Sequence, residues 1–476
     1  MAQTSKIRGL ALTCAASLAL APAFSAQADN HKDTTSVSAN EVTPPIAKKV
    51  PHTYTHHGIT IEDPYDWLYD KSYPTVDDED VLDYVKSENA YFEAQMEPFE
   101  AQTEALFEEM KARIKEDDNS VPQRTGDYLY WSAISEGEQY SKYYRKPVGA
   151  GDDVEPELLL DQNVLAEGLE YFRLGGLSVS KNGRFMAYST DTNGSERYTA
   201  VIKDLETGEM LADEITGIRG GLTWVAGDTK VVYTPATEEW RTLEAKLHTL
   251  GEPTDKDVTL YKEEDQSFSV GVGLSAQDSY LIIAAGDNET SEVRFVSADD
   301  PTQPLTLVRA REKGVEYSVD MRDSEMFVWT NDDHINFRLA KASVKQPGEW
   351  ETILEGSDDF YLTGFELFEG FFVTEGRLNG LDQVQIRQYD IPQEAQAIAF
   401  PEASYSAGLS NNPEYDQTKL RLSYESMITP DTVYDYDVAT ASLETLKTQE
   451  IPSGYNAADY ITQRLEIEAR DGTMVP

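Results

Sequence analysis

Two serine-containing stretches are the parts of the sequence that come closest to a nucleophilic active site. A G-x-S-x-G motif would present a serine on a sharp strand-to-helix turn, where its hydroxyl can attack a carbonyl carbon. The strings GLSVS, from Gly176, and GLSAQ, from Gly273, lack the second glycine and fall within the strands of a repeat described below. The sequence also contains no G-x-x-x-x-G-K-[ST], H-E-x-x-H or helix-opening G-x-G-x-x-G motif, and the GVG string at Gly271 lies in a strand. We therefore predict no catalytic residue in these 476 residues.

Histidines are the next candidates, because three of the six are close together and could bind a metal ion. His52, His56 and His57 lie in the string HTYTHHG, but no further ligand type follows at a recognisable spacing. Packed or solvated histidines are the simpler interpretation, and we expect structural roles for the isolated His248 and His334. We predict no metal site and no cofactor.

Acidic residues are too numerous for pairs of them to be informative. The chain contains 86 Asp and Glu residues, so neighbouring carboxylates occur by chance. The string DDED, Asp77 to Asp80, lacks the central glycine and the closing glutamate of a calcium loop, and helix capping explains it better. The string NDD, Asn331 to Asp333, is most simply a turn between strands.

The N-terminal stretch 1–28 is typical of a secretory signal peptide. Lys6 and Arg8 precede an apolar run, which is too short to span a bilayer, and the small-x-small site AQA ends at Ala28. We expect cleavage after Ala28 and export to the periplasm or the exterior; a membrane anchor is the alternative. The following residues 29–50 are polar and aperiodic, and we expect a disordered leader there.

The cysteine count limits the chemistry further. The single cysteine, Cys14, lies inside the predicted signal peptide. The mature chain would therefore contain no disulfide, no thiolate metal site and no cysteine nucleophile.

The charge balance is strongly acidic. The formal net charge is −46, and the predicted signal peptide contains two bases and no acid, so its removal leaves −48. Such a chain repels nucleic acid and anionic membranes and attracts cationic ligands. Hydration of the surface in a salty environment is one interpretation and steering of basic substrates is another, and the two can coexist.

Residues 51–117 contain two predicted helices. The first has Asp77 and Asp78 as candidate N-caps and an apolar face formed by Leu82, Val85, Phe92 and Met96. After Pro98 a second apolar stripe follows, formed by Phe99, Leu106, Phe107, Met110 and Ile114. Each stripe needs a partner surface to cover it.

From about residue 118 to residue 460 the sequence consists of short alternating runs separated by Gly, Asp and Asn turns. One unit recurs, in which such a turn is followed by a run ending in an aromatic or β-branched residue. Its seven copies are GDYLYW ending at Trp131, NGRFMAY at Tyr188, GDTKVVY at Tyr233, QDSYLII at Ile283, DSEMFVW at Trp329, FEGFFV at Val373 and QTKLRLSY at Tyr424. The copies end 44 to 57 residues apart, which leaves room for about four strands each. This spacing predicts a seven-bladed β-propeller; a string of unrelated hairpins in β-sandwiches is the alternative.

The last residues, 461–476, predict the start of a further element. In LEIEARDGTMVP, from Leu465, apolar and charged residues alternate as in a half-buried strand. Asp471-Gly472 then predicts a hairpin turn, and a return strand begins at Thr473.

Several stretches resemble the oligopeptidase B branch of the prolyl oligopeptidase family of serine peptidases. The resemblance runs from about His52 to Pro476, and the segment MITPDTVYDYD favours oligopeptidase B over the prolyl-cleaving relatives. The stretches are EDPYDWLYD from Glu62, VLDYVKSENAYFEAQM from Val81, EGEQYSKYYRK from Glu136, TSEVRFVSADDP from Thr290, ESMITPDTVYDYDVAT from Glu425 and IEARDGTMVP from Ile467.

The resemblance implies a complete layout. It implies an all-β, seven-bladed propeller at 118–460, preceded by a helical segment at 51–117 that packs on an α/β-hydrolase domain. Only the first strands of that hydrolase domain would lie at 461–476. The family's Ser, Asp and His triad and its oxyanion hole would all lie beyond Pro476, so none can be assigned here. The propeller is implied to cover the active site and to admit short peptides, which are cleaved after Lys or Arg.

Two functional hypotheses follow. In the first, the chain is the gating portion of an oligopeptidase B-like peptidase; its partners are the hydrolase domain and short basic peptides, and it is inactive alone. In the second, it is a stand-alone secreted propeller that binds peptides or proteins without catalysis. We expect neither nucleic acid binding nor a membrane span after signal cleavage.

Overall fold

The computed structural model describes residues 43–72 and 75–476, so the predicted signal peptide and most of the predicted leader lie outside the described residues. The chain divides into two compact units. Of the described residues, the larger unit contains Lys115–Ile451 and Tyr455–Pro476, and the smaller unit contains those from Thr43 to Ile114 together with Pro452–Gly454. None of the helices in the described ranges is long and apolar enough to cross a membrane.

The smaller unit begins with a hairpin and continues with helices. The strands Thr53–His56 and Ile59–Glu62 pair across a turn at His57 and Gly58, both of which have positive φ. The helical elements that follow are the 3-10 turn Asp66–Leu68, α1 at Glu79–Met96, the 3-10 turn Glu97–Phe99 and α2 at Glu100–Lys111. The segment before the hairpin is hydrogen-bonded to the residues that follow it. The Trp67 indole donates to the Lys48 carbonyl, and the Val50 amide donates to the Pro64 carbonyl.

The two predicted helices are present, and their apolar faces are largely exposed. The Asp78 carboxylate accepts hydrogen bonds from the amides of Asp80 and Val81, which confirms it as the N-cap of α1. In α1 only Val81 is buried, whereas Phe92 is 62% exposed, and in α2 Met110 is 65% exposed. Ile114 lies beyond the end of α2.

The larger unit consists of seven antiparallel sheets, which we call blades 1 to 7, followed by a short hairpin. Within each blade the strands are adjacent in chain order, and in blade 1 two short strands pair one after the other along the same edge of the next strand. Blade 1 contains Asp118–Asn119, Gln123–Thr125, Tyr128–Ile134, Lys142–Pro147 and Glu157–Asp161. Blade 2 contains Arg173–Val179, Phe185–Asp191, Tyr198–Asp204 and Met210–Ile218, and blade 3 contains Thr223–Val225, Lys230–Tyr233, Glu244–Thr249 and Val258–Lys262. Blade 4 contains Ser269–Leu274, Tyr280–Gly286, Ser291–Ser297 and Thr306–Leu307, and blade 5 contains Tyr317–Arg322, Glu325–Thr330, Arg338–Ser343 and Gln346–Leu354. Blade 6 contains Phe360–Leu367, Phe372–Leu378, Leu381–Arg387 and Ala395–Ala397, and blade 7 contains Ser406–Leu409, Lys419–Glu425, Thr432–Asp437 and Ser442–Thr448. The remaining helical elements are α3 at Gln162–Ala166 and the 3-10 turns Thr254–Lys256 and Ala457–Asp459.

The seven-bladed propeller predicted from the repeat is confirmed. Each of the seven repeat copies forms the second strand of its blade, counting the two short strands of blade 1 as one position. The turn before the second strand explains why Gly, Asp and Asn recur at the start of the repeat copies. Gly183, Asp228, Asp278 and Asp323 hold these turns with φ between 53° and 73°, a region that only Gly, Asn and Asp enter readily.

The core lies between neighbouring blades. Six clusters of buried apolar residues each join two consecutive blades, from blades 1 and 2 up to blades 6 and 7. The contacts between blade 7 and blade 1 are polar. Lys447 Nζ lies 2.5 Å from Oδ2 of Asp118, and the Gly126 amide donates to Glu414 at 2.7 Å.

The hairpin predicted at the end of the chain is also present. Ile467–Glu468 pairs with Met474–Val475, and the turn places Gly472 at φ +86°. The strands are shorter than the alternating pattern suggests, since Leu465 lies outside them.

Candidate functional site

A cavity of about 1240 Å³ runs along the first strands of the blades. Blades 1, 2, 4, 5, 6 and 7 contribute first-strand residues to its wall; examples are Gln123, Ser178, Val270, Ser318 and Thr363. The first strands therefore face a central channel, and the fourth strands lie at the outside of the ring.

Small residues make this channel possible. A Cβ atom on Gly176, in the first strand of blade 2, would lie 2.7 Å from the Cα of Gly221 next to blade 3. Gly271, Gly364 and Gly408 occupy first strands of other blades. The sequence signal for the channel was therefore the recurrence of Gly and Ser in several first strands, clearest in blades 2, 4 and 7, and the predictions above did not use it.

The two ends of the channel carry different connections. Because the strands alternate in direction, the chain enters blade 1 and leaves blade 7 at the same end, which we call the entry end. The segment after blade 7 stays there: Arg464 donates to the carbonyl of Asn379, and the Tyr455 hydroxyl donates to the carbonyl of Ile428. The connections between first and second strands form the opposite end, which we call the turn end.

Carboxylates dominate the charge of the channel wall. The wall contains six acidic residues and two basic ones, so its field attracts cations. The acidic residues are Asp127, Asp287, Glu316, Asp320, Glu366 and Glu375, and the basic ones are Lys181 and Arg421. Both bases are already paired: Arg421 Nε lies 2.6 Å from Asp435, and Lys181 Nζ lies 2.9 Å from Asp278.

Three carboxylates meet at the entry end of the channel. Asp287 and Glu289 lie in the connection between the second and third strands of blade 4, and Glu316 immediately precedes blade 5. Burial, together with the negative charges of Asp287 and Glu289, raises the pKa of the Glu316 carboxyl. A cationic group placed here would be attracted to all three.

Of the serines in the two motifs that resemble G-x-S-x-G, Ser178 lies in the first strand of blade 2 and Ser275 directly follows the first strand of blade 4. Ser178 donates to the carbonyl of Leu222 at 3.0 Å and accepts from the Trp224 indole at 3.1 Å. Ser275 is fully buried, and its hydroxyl accepts from the amide of Tyr280. Neither hydroxyl is oriented as a nucleophile by a neighbouring base.

The histidines are distributed as follows. His52 lies 3.5 Å from Asp66, and the rings of His56 and His57 are in contact. His334 lies 3.3 Å from Asp358, whereas His248 is buried between two aspartates. Within residues 43–72 and 75–476, no group of three potential ligands is placed to hold a metal ion.

Comparison with known proteins identifies the fold. Residues 44–449 match the model of the prolyl oligopeptidase N-terminal β-propeller domain. The chain is 35% identical to dipeptidyl aminopeptidase BI of Pseudoxanthomonas mexicana over 93% of its own length and 63% of that protein. It is 29% identical to protease 2 of Moraxella lacunata over 91% of its own length and 62% of that protein. It thus spans less than two thirds of these curated relatives.

Two solved structures are similar over most of the chain. Oligopeptidase B from Leishmania major has a TM-score of 0.85 at 27% identity, and oligopeptidase B from Trypanosoma brucei with covalently bound antipain has a TM-score of 0.84 at 29% identity. Each covers 91% of this chain, which covers 64% of each. From the family match over residues 44–449 and the seven blades found there, the chain belongs to the prolyl oligopeptidase family and carries that family's N-terminal β-propeller domain.

Proposed function

We propose that this chain is the propeller portion of an oligopeptidase B-like serine peptidase and that its channel controls which peptides reach the catalytic centre. The observation that carries the proposal is the central cavity, whose wall is built from six first strands and contains three times as many acids as bases. The similarity to two oligopeptidases B, above 25% identity, supports this branch of the family.

Selection by size follows from the way the ring is built. Six apolar clusters hold consecutive blades together, so separating any of these six pairs would expose buried residues, and the polar contacts of Lys447 and Glu414 hold the seventh junction. A cavity of about 1240 Å³ accommodates a short peptide and excludes a folded domain. The propeller thus restricts the peptidase to oligopeptides.

Selection for basic peptides follows from the carboxylates. Glu316, Asp287 and Glu289 place negative charge where a peptide would enter from the entry end. A Lys or Arg side chain would relieve the repulsion between them, and this preference would match cleavage after Lys or Arg.

We further propose that an α/β-hydrolase domain with a Ser-Asp-His triad covers the exposed apolar residues. In the smaller unit these include Phe92 and Met110, and at the entry end of the ring they include Ile335 at 82% and Met427 at 89% exposure. Large exposed apolar side chains of this kind mark an interaction surface. The chain alone would then bind peptides without cleaving them.

Export is part of the same proposal. The predicted signal peptide at 1–28 would direct the protein to the periplasm or the exterior. N-terminal sequencing of the secreted protein should begin near Asp29, and an intact Met1 in the mature protein would contradict export by this route.

A direct test combines turnover and binding. The purified chain should not hydrolyse a Lys or Arg ester, and the product of the whole gene should hydrolyse it. An arginine-rich tetrapeptide should bind the chain about threefold more weakly after Glu316→Gln, since one charge at the mouth of the channel is worth under 1 kcal/mol. Asp299→Asn makes the same change of charge at an exposed position away from the channel wall and should leave binding unchanged. Equal effects of the two variants would contradict channel binding.

A second activity within the family is favoured by one observation. The relative at 35% identity is named a dipeptidyl aminopeptidase, an enzyme that would require a free peptide N-terminus. Peptides ending in Arg amide, with and without an N-terminal blocking group, separate the two activities. Cleavage of the blocked substrate supports the oligopeptidase, and cleavage of the free one alone supports the aminopeptidase. Peptide binding without turnover by the whole gene product would support the stand-alone binding propeller.

A further inference from the structure

Glu402 is a half-buried carboxylate outside the channel wall. It lies in the connection between blades 6 and 7, at the entry end of the ring. Three hydroxyls of blade 7 donate to its side chain, namely those of Tyr424, Ser426 and Thr429. A fourth comes from the chain beyond the blades, since Oγ1 of Thr462 lies 3.0 Å from Oε2 of Glu402. An ionised carboxylate only accepts hydrogen bonds, so it can serve all four donors.

The blade 7 side of this cluster is fixed by packing and by backbone hydrogen bonds. Tyr424 is 1% exposed and belongs to the apolar cluster that joins blades 6 and 7. The Ser426 amide donates to the Thr429 carbonyl at 3.0 Å, and the Thr429 amide donates to the Ser426 hydroxyl at 2.8 Å. The ring therefore holds the carboxylate of Glu402 in place independently of the chain that follows blade 7.

Residues 455–464, which we call the exit segment, carry the chain away from blade 7. Tyr455 and Arg464 each donate to a backbone carbonyl at the entry end of the ring. Both use long side chains, which leave the backbone of the exit segment room to shift. Thr462 differs, because a single stiff torsion separates its hydroxyl from the backbone. Its contact with Glu402 thus fixes the backbone of the exit segment itself.

The exit segment ends just before the hairpin that the family resemblance implies as the start of a hydrolase domain. Thr462 lies five positions before the first strand of that hairpin, Ile467–Glu468. Five residues span at most about 18 Å even when they are fully extended. The contact between Thr462 and Glu402 therefore limits where this strand can start relative to the ring.

We propose that Glu402 is a positioning residue for the peptidase, an inference that rests on the proposed function. Through Thr462 it fixes the point at which the chain leaves the ring, and with it the orientation of the hydrolase domain at the entry end of the channel. In this role Glu402 touches neither the substrate nor the reacting atoms. Loss of the contact spreads the domain over several orientations, and only some of them bring the serine to a peptide held in the channel. The reactivity of the serine itself does not change.

The first test measures hydrogen exchange in the chain itself. Thr462→Val keeps the shape of the side chain and removes its hydroxyl, so the amides of residues 455–464 should exchange about tenfold faster, because a hydrogen bond to a charged group is lost. Thr462→Ser keeps the hydroxyl and is the matched control, which should exchange like the wild type. In a Glu402→Ala background, Thr462→Val should have no further effect. Equal exchange in the Val and Ser variants, or an undiminished effect of Thr462→Val in the Glu402→Ala background, would overturn the contact as the fixed point of the exit segment.

The second test uses the product of the whole gene. Thr462→Val should lower kcat/KM for an Arg-containing tetrapeptide amide by up to about tenfold. It should leave the rate of inactivation by a small sulfonyl fluoride unchanged, because that reagent needs only the serine. Thr462→Ser should match the wild type in both reactions.

The outcomes separate the inference from the proposed function. Unchanged peptide turnover in Thr462→Val, or an equal loss of turnover and of sulfonyl fluoride reactivity, would overturn the positioning role and leave the proposed function standing. A wild-type product that hydrolyses no Lys or Arg ester would contradict the proposed function, and the inference with it.

Discussion

Several carboxylates of this acidic chain act as hydrogen-bond acceptors between neighbouring blades. Asp228 of blade 3 accepts from the amides of Lys181 and Asn182 in blade 2, at 3.1 and 2.9 Å. Asp320 of blade 5 accepts from the amide of Ala276 in blade 4 at 2.8 Å. Part of the negative charge thus stabilises the contacts between blades, because an ionised acceptor makes a stronger hydrogen bond to an amide than a neutral acceptor does.

Glu402 explains the structural role of the ESMITP string, which begins at Glu425. Its carboxylate accepts hydrogen bonds from the hydroxyls of Tyr424, Ser426, Thr429 and Thr462. Burial opposes ionisation, but the hydroxyl donors outweigh it and lower the pKa of Glu402. Ser426 and Thr429 belong to the string, so the string holds the segment after blade 7 against the ring.

A pH-dependent contribution to stability is expected from Glu263. Burial alone would raise its pKa, but hydrogen bonds from Arg311, the Asp265 amide and Tyr261 lower it to about 2. Because the folded pKa lies below the unfolded value of about 4.3, this carboxylate stabilises the fold above that value and loses its effect as the pH falls toward 2. Glu263→Gln should cost about 2 to 3 kcal/mol of unfolding free energy at pH 7 and progressively less below pH 4.

Urea unfolding of both proteins at pH 7 and pH 3 measures this difference. Glu264→Gln, at the adjacent exposed position, is the control and should change stability little at either pH. An equal loss for Glu263→Gln at both pH values would show that packing, and not the charge, explains the effect.

At the scale of elements, the approach of neighbouring first strands depends on glycine. Gly176→Ala would place a Cβ 2.7 Å from the Cα of Gly221, and a backbone atom cannot move aside as a side chain can. We expect a loss of about 1 to 3 kcal/mol in unfolding free energy. Gly271→Ala is the matched control, since Gly271 also lies in a first strand but a methyl group there would have nothing within 4 Å. Thermal or urea unfolding should separate the two variants, and equal losses would contradict the importance of the close approach.

The junction between blade 7 and blade 1 is a second property of elements. Lys447 Nζ lies 2.5 Å from both Oδ2 of Asp118 and the carbonyl of Asn119, so Lys447→Met removes a cation that joins the first and last blades. We expect a loss of about 1 kcal/mol and faster hydrogen exchange in the strands on both sides of the junction.

Lys419→Met is the control for the junction, because Lys419 pairs with Glu444 inside blade 7. Any increase in hydrogen exchange caused by Lys419→Met should remain within blade 7. Faster exchange confined to blade 7 in Lys447→Met as well would show that the pair does not hold the ring closed.

At the scale of the whole molecule, the net charge of −46 should make stability depend on salt. Added salt weakens the repulsion between the negative charges of the chain, because the Debye length falls from about 10 Å at 0.1 M to about 3 Å at 1 M salt. The melting temperature should therefore rise between about 0.05 and 1 M NaCl, most steeply at the low end. A steady fall over the same range would mean that ion pairs contribute more to stability than the repulsion removes.

Particular residues show how far the sequence could be interpreted without the structure. The seven repeat copies ending at Trp131 through Tyr424 predicted the blades correctly, because alternation and turn chemistry are local properties. The Asp78 cap and the Asp471-Gly472 hairpin were predictable for the same reason. The contact of His248 with Asp213 was not, since the 35 positions that separate them in the chain give no indication that two blades bring these side chains together.

The sequence by itself determined the repeat, the turn positions, the exposed apolar faces of the two helices and the acidic charge. Each of these depends on residues within a few positions of one another or on composition alone. Tertiary structure decided which carboxylates line the channel and which ones accept hydrogen bonds from the backbone amides of a neighbouring blade. It also decided which histidine is enclosed between aspartates. Those properties depend on contacts between distant parts of the chain, and a side chain's environment exists only after the ring has assembled.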